Sequence, residues 1–86
     1  MNITEDIVKQ LLNTLVTPEF EKDIVGYDVI LRQMDGKTGI GVDVLMTHSM
    51  RWDKSLEYSI ERRVRNVMKY LSPSFVMVEF YNVIDY

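Results

Sequence analysis

The chain has 86 residues, of which 47% are hydrophobic and 27% charged, with a net charge of −3. That balance excludes a disordered chain, and the length permits one domain with a single core but no deep cleft between domains. There is no cysteine, which excludes disulfides, thiolate metal centres and cysteine nucleophiles and fits a reducing, cytoplasmic setting.

Residues 4 to 16 are predicted to form a helix. Ile7, Val8, Leu11, Leu12 and Leu15 recur at helical spacing. Asn2 or Thr4 can cap it, and Glu5 and Asp6 suit its first turn. The acidic start MNITEDIVKQ is unlike the basic start of a secretory signal. Thr17-Pro18 is a stop, and residues 18 to 23, PEFEKD, are a connector.

Residues 24 to 34 alternate as a strand, with Val25, Tyr27, Val29 and Leu31 on one face. Residues 40 to 47 alternate again, with Ile40, Val42, Val44 and Met46 on one face. Between them lies DGKTGIG, residues 35 to 41. Its Gly-Lys-Thr resembles the tail of a phosphate-binding loop, and Gly36-Lys37-Thr38-Gly39 resembles a GxxG backbone clamp. Both devices need a helix immediately after or on both sides, and IGVDVLM is a strand. A hairpin turn explains the same residues, with Gly39 and Gly41 supplying tolerance for a bulge or twist. A four-residue loop, Asp35 to Thr38, is expected, pairing Leu31 with Val42 and Val29 with Val44. The two-residue alternative would set Asp28 opposite Asp43.

Residues 51 to 71 form the longest predicted helix, with an apolar stripe of Trp52, Leu56, Ile60, Val64, Val67 and Leu71. Ser72-Pro73-Ser74 stops it. Opposite the apolar stripe run Arg51, Lys54, Tyr58, Arg62, Arg65 and Lys69. Residues 51 to 71 hold six basic and three acidic side chains, and the rest of the chain four basic and ten acidic. The chain therefore reads as one basic helix on an acidic body, suited to an acidic protein surface or a phosphate backbone. Spaced pairs such as Glu61–Arg65 would neutralise part of that stripe. A last strand, FVMVEFYNVI, spans residues 75 to 84 with little polar relief on either face.

These elements predict an α+β fold, a two-layer α-β-β-α-β domain over residues 1–86, with two helices on one face of a three-stranded mixed sheet. The connection through the long helix should be a right-handed crossover if its strands are adjacent and parallel. The element order resembles that of type II KH-like ribosome-binding factors and of small iron–sulfur scaffold domains. The first resemblance implies RNA contact by the basic helix. The cysteine pair of the second family is absent, so its function is not implied.

One sheet face must cover the helices. The other should be polar in a monomer, yet it holds Ile30, Leu45, Phe75, Met77 and Tyr81, broken by Asp28, Arg32, Asp43 and Glu79. Such a surface marks an interface, unless the connector around Phe20 or the tail VIDY folds over it. His48, with Asp43 and Asp53, matches no metal-ligand spacing, and Ser49, Ser55 and Ser59 have no base arranged for them. Glu57 and Glu61 lie on a solvated face, and the six methionines read as core filler. No catalytic constellation emerges. The expectation is a non-enzymatic interaction module, self-associating or part of a larger assembly, with no cofactor, metal, membrane or small-molecule substrate. The alternative is a nucleic-acid binder.

Overall fold

The computed structural model describes residues 3–15, 22–47 and 52–84. It is an α+β fold with helix α1 (Glu5–Asn13), strands β1 (Ile24–Met34) and β2 (Lys37–Met46), helix α2 (Lys54–Met68) and strand β3 (Phe75–Asn82). The sheet order is β1-β2-β3. β1 pairs antiparallel with β2, and β2 pairs parallel with β3, so the sheet is mixed. β2 and β3 are adjacent and joined through α2, as a βαβ crossover requires.

Both helices begin at a side-chain cap. Thr4 accepts the Ile7 amide at 3.2 Å, and Asp53 accepts the Leu56 amide at 2.8 Å. Each satisfies one of the amides that a helix start leaves without a partner. α2 therefore starts three residues later than the apolar periodicity alone indicates, because Asp53 fixes its first turn. Its last turn tightens into a 3-10 segment, Lys69–Leu71, and Ser72 ends it in the left-handed region at φ 48°. α1 stops at Asn13, before the expected Thr17-Pro18 boundary, which lies outside the described residues.

The hairpin corrects one expectation. Met34 pairs with Lys37, so the loop is the two residues Asp35-Gly36, not four. Leu31 therefore meets Ile40 rather than Val42, and Val29 meets Val42 rather than Val44. Asp35 and Gly36 both have positive φ, 52° and 75°, the signature of a type I′ turn. That turn matches strand twist and lets Lys37, Thr38 and Gly39 join the ladder. The cost is Asp28 opposite Asp43. Both lie on the solvent side of the sheet, where an unfavourable cross-strand pair costs at most about 1 kcal/mol.

A second correction concerns β1. The register slips between Ile24 and Gly26, so a bulge at Val25 reverses the alternation there. Ile24 turns inward against Met46, and Val25 is exposed instead of facing the helices. The remaining inward residues follow the expected alternation. Ile40, Val42, Val44 and Met46 of β2 are at most 1% exposed. They meet Val8 and Leu12 of α1 and Leu56, Ile60, Val64 and Met68 of α2 in one core. Met68 lies beside the predicted stripe rather than in it. Val76, Val78 and Phe80 of β3 pack against this core but stay half-buried. β3 ends at Asn82, although the Val83 amide still donates to Met46, and Val83 and Ile84 are exposed.

The turn generates a test. An alanine at Gly36 must hold a conformation that costs an L-residue about 1–2 kcal/mol. Gly36→Ala should lower the urea midpoint by that much stability with an unchanged m-value, while Lys37→Ala should stay within about 0.5 kcal/mol of wild type. An unchanged midpoint for Gly36→Ala would rule out the type I′ turn.

Candidate functional site

The outer sheet face is a grid set by the two registers. Arg32, Gly39 and Phe75 form one row, and Ile30, Gly41 and Met77 the next. Asp28, Asp43 and Glu79 form a third, and Gly26, Leu45 and Tyr81 a fourth. Alternation along each strand puts all twelve on the side away from the helices. Met77 is 54% exposed, Ile30 50%, Phe75 39% and Tyr81 37%, while Leu45 is half-buried. The structure thus brings the five predicted interface residues onto one face, interrupted by one row of carboxylates.

Glycine in the middle strand shapes this surface. The Phe75 ring lies across Gly39, where a Cβ would collide with it. Gly39 therefore makes room for a ring, rather than supplying the bulge or twist tolerance expected of it. Gly41 leaves a trough between Ile30 and Met77. The result is a groove of about 210 Å³ walled by Ile30, Phe75, Met77 and Tyr81. Tyr81 donates its hydroxyl to Glu79, and that hydrogen bond and the carboxylate's charge hold the phenol above its ordinary pKa. Val83 and Ile84 do not cover the face, being 40% and 79% exposed. Phe20 and the last two residues lie outside the described residues.

The basic stripe is partly neutralised. Lys54 lies 3.8 Å from Glu57, and Arg65 lies 3.2 Å from Glu61. Arg65 also donates to the Val76 carbonyl at 2.8 Å, so it ties α2 to β3. Tyr58, Arg62 and Lys69 are exposed along the same side of the helix. Arg51 and His48 lie outside the described residues. Among the described residues no cluster of three or more His, Cys, Asp or Glu could hold a metal ion, and no helix is long and apolar enough to cross a membrane.

Two features were not legible in the pattern. The turn residues Gly36, Lys37 and Thr38 rim an open cleft of about 860 Å³, closed on its other side by Tyr70, Ser72 and Ser74. The chain segments that meet there are far apart in sequence, so spacing carried no sign of it. Tyr27 is the other. It stands in the expected inward row of β1, but its hydroxyl is buried without a hydrogen-bond partner. Burial pushes its pKa up to about 12. The four methionines among the described residues also divide. Met46 and Met68 fill the core, whereas Met34 and Met77 are exposed.

No protein-family model matches this chain, and searches of curated proteins and of solved structures give no significant match.

Tyr27 supplies a second test. A tyrosine ionises near pH 10 in the unfolded chain and near 12 in the fold. Its neutral form is favoured by folding, so that contribution is complete below pH 10 and lost as pH rises towards 12, on the order of 2 kcal/mol. Tyr27→Phe should abolish this alkaline loss. Below pH 10 it should be neutral or stabilising by about 1 kcal/mol, since it removes a buried donor that has no partner. A marked destabilisation at pH 7 would show that the hydroxyl has a partner in solution.

Proposed function

We propose that the protein is a non-enzymatic interaction module that self-associates through its sheet. The carrying observation is the exposure of Ile30, Phe75, Met77 and Tyr81 together around one groove on the layer away from the helices. A half-covered sheet normally turns polar residues to water, and apolar side chains gathered on its open face, here broken by one carboxylate row, are suited to contact with another chain. Leu45 extends the patch towards the far end of β2. The carboxylate row adds selectivity, since a partner surface with like charge opposite it would be rejected.

The basic side of α2 is read as a solvated surface, or a contact for an acidic protein surface within a larger assembly. Two of its cations, Lys54 and Arg65, already face carboxylates one turn away. Generic RNA or DNA should bind weakly, because the acidic remainder of the chain repels the same backbone within a Debye length of roughly 8–10 Å.

Sedimentation of the wild type should show a species larger than one chain at high micromolar concentration. Met77→Glu and Leu45→Glu should each remain folded by circular dichroism and sediment as smaller species if the whole face is buried. A wild type that stays monomeric under those conditions would sink the proposal.

A further inference from the structure

We infer that β3 is the self-associating element, and that it pairs antiparallel with β3 of a second copy to join two three-stranded sheets into one of six. This rests on the self-association reading above but places the contact at the β3 edge, so that Leu45, on β2, lies outside it and Leu45→Glu should leave the dimer intact.

β3 is at one end of the sheet, with no described strand beyond it. The opposite edge, β1, is blunted by the bulge at Val25 and carries Asp28 and Arg32, devices that discourage strand addition. β3 has neither bulge nor a charge other than Glu79. It is also short of packing on both faces. Val76, Val78 and Phe80 are half-buried although their row neighbours on β2 are sealed, and Phe75, Met77 and Tyr81 are exposed. A strand placed alongside would cover both sets at once.

The peptide groups point the right way. The Val83 amide donates to Met46 of β2, whereas the Val76 carbonyl accepts from Arg65. Alternation along a strand then turns the amides and carbonyls of Val76, Val78 and Phe80 away from β2. These are the groups an added strand would bond. Arg65 uses one lone pair of the Val76 carbonyl, and a carbonyl has two.

Register selects where the two-fold axis falls. An axis at Glu79 sets that carboxylate against the partner's Glu79. An axis at Met77 pairs only residues 75–79, and one at Phe80 pairs only residues 78–82 and leaves Phe75, Val76 and Met77 unpaired. An axis at Val78 pairs residues 75–81 and keeps both faces in phase. It sets Phe75 against the partner's Tyr81, Met77 against the partner's Glu79, and Val76 against the partner's Phe80. Aromatics meet on the outer face, apolar side chains meet on the inner face, and no like charges oppose. The strand is therefore complementary to itself about Val78.

The chain has no cysteine, so introduced thiols report directly. In this register Met77 and the partner's Glu79 are a non-hydrogen-bonded pair, with Cα atoms about 4.5 Å apart, close enough for a disulfide. Met77→Cys mixed with Glu79→Cys should oxidise chiefly to the mixed dimer. Neither variant alone should cross-link, because like positions are diagonal, roughly 7–8 Å apart. A charge pair checks the same contact without oxidation. Met77→Glu should weaken dimerisation by roughly tenfold over the two symmetry-related pairs, whereas Met77→Lys, meeting the partner's Glu79, should retain it. Cross-linking of Glu79→Cys alone would overturn the register. A wild-type dimer lost in Leu45→Glu, with no mixed cross-link, would overturn edge pairing and leave the sheet-face reading standing. A monomeric wild type would overturn both.

Discussion

Two-sided pairing of β2 is the constraint on which the other elements depend. Its backbone is bonded to β1 on one edge and β3 on the other, so its side chains have only the two faces of the sheet. The inner four, Ile40, Val42, Val44 and Met46, are sealed beneath both helices. Burying a side chain of this kind is worth about 1.5–3 kcal/mol, which makes the alternation of β2 the strongest single determinant of register. Shifting β2 by one residue would turn Gly41, Asp43 and Leu45 inward. Neither a carboxylate nor a glycine gap could replace what was lost.

The outer face follows from the same constraint. With the inner positions taken, β2 offers Gly39, Gly41, Asp43 and Leu45 to the other side. Small residues in the middle of a sheet leave flanking side chains without a neighbour to stand against. Phe75 therefore lies down over Gly39, and Ile30 and Met77 border an open trough. The groove is a consequence of side-chain size on the central strand, not of any loop. The helix layer reaches the sheet unevenly. It seals β2 and leaves the inward side of β3 half-covered, with the Arg65 bond to Val76 as a polar tie at that margin.

Much of this fold was legible in the residue pattern. Period-two alternation located β1 at residues 24–34, and helical periodicity located both helices and their apolar sides. The features that escaped depend on weighing one local force against another. Opposed Asp28 and Asp43 argued for a longer loop, but Asp35 and Gly36 suit a type I′ turn so well that the opposition is tolerated. The bulge at Val25 leaves no mark in an alternating run, since Ile24 and Val25 are both apolar. The five interface residues could be assigned to a face by parity alone. Their shared groove could not, because it arises from the pairing of Gly41 with Ile30 and Met77 across three strands. Likewise, charge counting revealed the basic helix but not that Arg65 reaches past it to a strand carbonyl.

The seating of Phe75 on Gly39 has a consequence for how this chain can vary. The two positions act as one unit of volume, because the ring occupies the space that a side chain at 39 would need. A larger residue at 39 is compatible with the same surface only if position 75 shrinks, and a smaller one at 75 uncovers backbone that glycine cannot shield. Substitutions that are costly singly should therefore be tolerated as a pair, so that a chain drifting in sequence crosses from one filling of this slot to another by a coupled step.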